Sequence, residues 1–158
     1  MDKLWAPWRS KYIYLRQNKK CIFCGNSTVK ADGKRYIIER SAHSFSMLNL
    51  YPYNNGHIMV APFRHAKDLQ SLTDIELSDL MRLVQRSVRK LEKTLKPHGF
   101  NVGLNMGKVS GAGFAGHIHV HIVPRWTGDV NFMPVTAGTK IVSESLDAMY
   151  KLLTKSTS

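Results

Sequence analysis

The chain is poor in cysteine and in acid. Only two of its 158 residues are cysteines, Cys21 and Cys24 in the stretch CIFC, so no disulfide framework can hold it together. Aspartate and glutamate number 11 against 23 lysines and arginines, a formal charge of +12. No apolar run approaches the roughly 20 residues of a membrane span, and the opening MDKLWAPWRS lacks the apolar stretch of a signal peptide. Internal repeats, low-complexity tracts and a clear interdomain linker are also missing. These absences exclude a secreted disulfide scaffold, a membrane span and a repeat array, and the expectation is one cytoplasmic domain. A domain of this size buries about two-thirds of its unfolded surface and needs no cofactor merely to fold.

The positive charge suits a polyanionic partner, either a nucleotide phosphate or a nucleic acid. The basic residues are scattered, without a helix-turn-helix signal, a dense Arg/Lys stripe or an RNA-binding aromatic motif, so nucleic acid is the weaker reading. Charge alone does not separate a phosphate partner from a solvated basic surface. A C-x-x-C pair in a cytosolic chain points to metal or redox chemistry, yet by itself it is half a zinc site.

Strand signals begin at Tyr36 with YIIER, continue in SFSMLNL and, after the turn-rich YPYNNG, in GHIMVAP, which together read as an antiparallel meander. In LTDIELSDLMRLVQRSVRKLEKTLKPHG the apolar residues Leu77, Leu80, Met81, Val84, Val88, Leu91 and Leu95 fall at helical spacing. Thr73 with Glu76 forms a capping-box pattern, and Pro97 with Gly99 punctuates the end. Phe100 to Met106 reads as a further strand, with Phe, Val, Leu and Met inward. A short helix is predicted after Ser143, using Leu146, Met149, Tyr150 and Leu153. The fold class is therefore α+β: an antiparallel meander sheet, one long amphipathic helix and a short C-terminal helix.

The stretch GHIHVHIVPRW is the most informative. In an extended strand His117, His119 and His121 share one face, and Ile118, Val120 and Ile122 the other. The apolar set is a core face. Three imidazoles in a row require partners for their ring nitrogens, either a metal or an anionic substrate. An imidazole can also attack phosphorus and form a phosphoramidate, splitting one displacement into two easier ones. Gly107, Gly111, Gly113 and Gly116, just upstream, allow a loop whose backbone N–H groups could cradle phosphate.

The spacing His117-Ile-His-Val-His-Ile-Val123 resembles the signature of the histidine triad (HIT) superfamily. LNLYPYNNGHIMVAP resembles its nucleoside-binding strand pair and LNMGKVSGAG its phosphate-side loop. The opening LWAPWR, the CIFC pair and PRWTGDVNFMPV resemble a bacterial branch related to dinucleoside tetraphosphate phosphorylases. The resemblance implies one HIT domain over residues 1–158, with an N-terminal arm at 1–35, a catalytic core at 36–126 and a C-terminal extension at 127–158. It also implies a homodimer, for which Trp5, Trp8 and Trp126 could be interface or core.

By the same resemblance His119 occupies the position of the nucleophile that takes the nucleoside α-phosphate. His121 occupies that of the third histidine, which contacts phosphate oxygens near the bridging position. Asn49 matches a ribose-binding asparagine, whose other reading is a strand-end hydrogen bond to backbone, and the same alternative holds for Asn105, which matches an asparagine near the phosphates. His57 matches a histidine lying near the phosphates. Many members carry Gln or Ser where this chain has Phe114, so backbone N–H groups of Gly113 and Phe114 would have to replace that donor. The resemblance to galactose-1-phosphate uridylyltransferases, which use a C-x-x-C pair, a distant histidine and the first active-site histidine, implies a structural zinc on Cys21, Cys24, His65 and His117. The alternative is two reduced thiols with His65 on the surface. His43 and His98 read as ordinary loop or strand-end residues.

The implied activity is cleavage of dinucleoside polyphosphates through a nucleotidyl-histidine, by phosphorolysis. No catalytic metal is required by these residues, though the substrate can arrive as a magnesium complex. Hydrolysis of adenosine phosphoramidates or other AMP conjugates, and a non-catalytic nucleotide-binding module, are the competing readings.

Overall fold

Ile58 and Val60 face one way along their strand, Met59 and Ala61 the other, and all four are buried. A strand with no solvent-facing side must lie inside a sheet covered on both faces, and that is where the chain puts it. In this computed structural model, residues 21–26, 31–107, 109–110, 114, 116–129 and 142–155 are described. The chain divides into two units, residues 21–126 with 142–158, and residues 1–20 with 127–141. The architecture below is that of the first.

Its elements run α1 (Asp32–Arg35), β1 (Ile37–Arg40), β2 (Ser44–Leu48), β3 (Ile58–Pro62), α2 (Asp74–Leu95), β4 (Gly99–Leu104), β5 (Val120–Arg125) and α3 (Leu146–Lys155). The five strands form one sheet in the order β1-β2-β3-β5-β4, with every neighbouring pair antiparallel. The expected α+β class, meander, long helix and short C-terminal helix are all present.

One face of the sheet packs Leu48, Ile58, Val60, Val120 and Ile122 against Leu80, Leu83, Val84 and Leu91 of α2 and Met149 and Leu153 of α3. Each leucine buried in this way contributes about 1.5–3 kcal/mol. The opposite face carries a smaller cluster of Phe23, Ile37, Phe45, Met47, Met59 and Ala61. Met59 is paired across the sheet with His121, so the second face is the one that receives the third histidine.

Helix α2 starts where the sequence says. The Thr73 side chain accepts from the Glu76 backbone N–H and the Glu76 carboxylate accepts from Thr73, completing the box. Arg64 adds a fork of two 2.7 Å bonds to the same carboxylate, which pins the end of β3 to the helix start. That pairing, with the Thr73 backbone bond, holds the Glu76 carboxyl down at about 2.

Two expectations are corrected. The buried stripe of α2 is Leu80, Leu83, Val84, Ser87 and Leu91, whereas Leu77 and Met81 are exposed. Leu83 completes the buried stripe in their place, and Val88 and Leu95 pack against the core as expected. The strand after α2 ends at Leu104 and, among the described residues, lies at the sheet edge; Phe100 and Leu104 pack on the core, but Val102 and Met106 are exposed.

Candidate functional site

The turn that delivers His57 to its strand requires a glycine. Gly56 has φ +72°, and a Cβ there would meet Leu95 Cδ1 at 2.5 Å. Asn54 locks the same turn by donating from its buried amide to the Pro124 carbonyl at 2.9 Å. His57 therefore emerges from a rigid corner and is itself buried.

The tautomers of the site follow from a chain of hydrogen bonds. The Tyr53 backbone N–H donates to His57 Nδ1 at 3.1 Å, so a neutral His57 carries its proton on Nε2. That Nε2–H donates to His121 Nδ1 at 2.9 Å. His121 is then protonated on Nε2 and offers an N–H donor at its far edge. Burial, followed by the neighbouring His121 and His119, holds His57 down to about 3. Burial and His119 hold His121 down to about 4. Both rings are neutral at physiological pH, as the chain of bonds requires.

His119 has the opposite polarity. Its Nδ1–H donates to the backbone carbonyl of His117 at 2.8 Å, which makes Nε2 the lone-pair nitrogen. Burial lowers its pKa below the ordinary histidine value, with the His117 carbonyl opposing. The His119 and His121 ring centroids are 4.8 Å apart. A nucleophilic nitrogen and an N–H donor are thus neighbours on one face, the combination needed to attack a phosphorus centre and to bind its oxygens. The expected alternation holds within β5, where Val120 and Ile122 pack on the helix-covered face and His121 lies opposite Met59, but the strand begins only at Val120, so His117, at a bend, and His119 precede it.

His117 looks the other way. Its Nε2–H donates to the Pro62 carbonyl at 2.9 Å, leaving Nδ1 as a ligand atom. Cys21 Sγ lies 3.3 Å and Cys24 Sγ 3.6 Å from that Nδ1, and Cys24 Sγ lies 3.1 Å from His65 Nδ1. All four ligand atoms fall within 4.8 Å of one another. Zn–S bonds of about 2.3 Å and Zn–N bonds of about 2.0–2.1 Å put neighbouring tetrahedral ligands roughly 3.3–3.8 Å apart, so the donor set and spacing fit a four-coordinate zinc. Burial and the Cys21 thiol push the Cys24 thiol up to about 11, and a divalent cation is the partner that makes a thiolate favourable there. Burial likewise brings His117 down to about 4, which keeps its ring neutral for ligation.

Of the remaining predicted residues, Asn49 accepts from the Tyr51 backbone N–H at 3.0 Å, the strand-end bond, while its Nδ2 lies 3.4 Å from His57 Nδ1. Asn105 is half-buried just past β4. Gly113 lies outside the described residues. The Phe114 ring packs edge-on against Phe23, centroids 6.2 Å apart. His57 stands behind His121 and bonds to its ring. His43 and His98 are exposed beside strand ends, where the Phe63 N–H donates to the His43 carbonyl, the His43 N–H to Asp79 and the His98 N–H to the Arg125 carbonyl.

Two residues that sequence reasoning passed over touch the site. The Tyr53 ring lies 4.8 Å from His57 and 6.0 Å from His121. Phe23 is fully buried, 5.0 Å from His117 and 4.8 Å from His119. The available signals were an aromatic residue inside C-x-x-C and another in the turn before His57.

A family model for the HIT domain matches residues 31–128. A Mycobacterium tuberculosis protein named AP-4-A phosphorylase is 37% identical over 161 residues, 97% of this chain and 83% of that one. A Schizosaccharomyces pombe adenosine 5'-monophosphoramidase is 33% identical over 105 residues, 66% of this chain and 74% of that one. A Zn-bound histidine triad family protein from Mycobacterium smegmatis superposes with TM-score 0.69 and 25% identity, covering 86% of this chain and 91% of that one.

Proposed function

This chain belongs to the HIT domain family, and we propose that it is a nucleotide-binding enzyme that cleaves dinucleoside polyphosphates by phosphorolysis through a nucleotidyl-histidine. The observation that carries the reading is the opposed polarity of two adjacent rings: His119 with a lone pair on Nε2, and His121 with an N–H donor.

In this mechanism His119 Nε2 attacks the α-phosphorus, the N–P bond forms, and the bond from that phosphorus to its bridging oxygen breaks. The remainder leaves as a nucleoside polyphosphate. His121 Nε2–H holds the phosphate oxygens near the bridge, and His57 fixes that donor in place. A phosphate oxygen then attacks the same phosphorus, restores neutral His119 and releases a nucleoside diphosphate. Asn49 and Asn105 are assigned to ribose and phosphates, with the Gly113 and Phe114 backbone N–H groups as phosphate donors. Most of the rate enhancement is positional and electrostatic.

Cys21, Cys24, His65 and His117 would hold a zinc whose role is structural, because four protein ligands leave no open position. Arm 1–35, core 36–126 and extension 127–158 form the proposed single domain. Exposed Val102 and Met106, at and just beyond the edge strand β4, favour a homodimer. No helix among the described residues is long and apolar enough to cross a membrane, and a cytoplasmic location is proposed.

The experiment is an incubation with diadenosine tetraphosphate and labelled inorganic phosphate, followed by product chromatography. Phosphorolysis gives ATP and ADP, with the label in the ADP. AMP and ATP, unaffected by phosphate, would make water the acceptor. Turnover confined to adenosine phosphoramidate would favour the phosphoramidase reading, which the 33% identity to that enzyme motivates.

A further inference from the structure

Phe23 sits between the two thiols of CIFC, and its ring is fully buried against two histidines of different purpose. One centroid distance is 5.0 Å, to His117 at the thiol cluster, and the other is 4.8 Å, to His119. The planes of Phe23 and His119 are inclined by only 32°, so the phenyl ring covers the imidazole face. On its other sides Phe23 meets Phe45 at 6.4 Å and the edge of Phe114 at 6.2 Å.

We infer that Phe23 is a positioning residue for His119, and that metal binding at Cys21, Cys24, His65 and His117 fixes the rotamer and tautomer of the nucleophilic ring through it. Two routes lead from the cluster to that ring. Ligation through Nδ1 holds His117, and the carbonyl of the same residue receives the Nδ1–H of His119 at 2.8 Å. Ligation of Cys21 and Cys24 closes the four-residue knuckle and holds the intervening Phe23 against the imidazole. A ring bonded at one nitrogen can still swing about χ1 and χ2, and a flat, buried neighbour on its face removes that freedom. Phe114 supports the phenyl edge, which gives a packing reason for an aromatic residue at a position next to the phosphate loop.

This inference rests on the assignment of His119 as nucleophile, but its central test does not require turnover. The ring ¹⁵N chemical shifts of His119 report which nitrogen is protonated and whether one tautomer dominates. Zinc-loaded wild type should show a single Nδ1–H tautomer; removal of zinc with a chelator under reducing conditions should give averaged or doubled His119 signals, reversed by adding zinc back. Phe23→Ala, loaded with zinc to the wild-type ratio, should give the same mixed signals, with Phe23→Leu intermediate. If the proposed turnover exists, kcat of Phe23→Ala should fall about tenfold or more while KM changes by about twofold or less, the pattern of a misplaced nucleophile. Phe114→Ala provides a milder perturbation should Phe23→Ala fail to fold, and should lie between wild type and Phe23→Leu. A His119 tautomer unchanged by zinc removal and by all three substitutions overturns the coupling, whatever the substrate. An altered tautomer in a protein that turns over no nucleotide would sustain the coupling and overturn the functional assignment.

Discussion

His57 donates its Nε2–H to Nδ1 of His121 across 2.9 Å, and this bond turns a fourth, buried histidine into the determinant of what the third can do. With Nδ1 occupied, neutral His121 presents an N–H outward. Replacing His57 with Ala removes the donor and lets His121 adopt either tautomer. The expected result is a fall in kcat of at least about tenfold with binding of AMP within a few-fold of wild type, measured by steady-state kinetics and calorimetry. An unchanged kcat would separate His57 from the chemistry.

His119→Ala should abolish turnover while leaving nucleotide affinity largely intact, because it deletes the lone pair on Nε2 and little of the pocket. Rapid-quench measurement of the first turnover is the check. A rate within about tenfold of wild type, equivalent to roughly 1.4 kcal/mol of barrier, is incompatible with the assignment.

One tightly held zinc per chain is expected from elemental analysis of protein purified without added metal. Cys24→Ser should lose most of it. For a chain of this length each kcal/mol lost lowers Tm by about 2–4 °C, so a drop of several degrees should appear in calorimetry. A metal-free wild type whose melting is unaffected by Cys24→Ser would leave the thiols incidental.

Acid should weaken the fold before the carboxylates titrate. His57 is held at about 3 and His121 at about 4, both below their unfolded value of 6.5, so the unfolded chain binds more protons in between. Stability is therefore complete above pH 6.5 and declines as pH falls towards 4 and 3, with a slope of up to about 1.4 kcal/mol per pH unit for each ring. Urea midpoints at pH 7.5, 6.5 and 5.5 measure it. Midpoints that stay constant or rise on acidification contradict the burial of these rings as neutral species.

The strands and helices were legible because their signals are local. Thr73 and Glu76 cap α2 through their own side chains, and the alternation of Val120, His121 and Ile122 needs only strand geometry. The four-residue thiol and imidazole cluster was legible as well, but only through resemblance, since Cys24 and His65 are 41 positions apart yet 3.1 Å distant in space. The exact edge of the buried face of α2 was not read: Leu83 lies inside it and Leu77 and Met81 outside, because two adjacent stripes of apolar residues at helical spacing overlap at Leu80, Val84 and Leu91. The place of His57 behind His121 escaped because it depends on a backbone N–H at Tyr53 and on the β3-to-β5 register.

That register has one further consequence. Strand β5 lies between β3 and β4, with His121 opposite Met59 on one side and Gly103 on the other. A slip of one residue would reverse the faces of the strand, sending imidazoles into the helix-packed interior and Val120 and Ile122 to the opposite side. Misfolding by mispairing and loss of chemistry are thus a single event here. A population assay of activity per molecule would report two classes, fully competent and inert, with no misregistered species of partial activity between them.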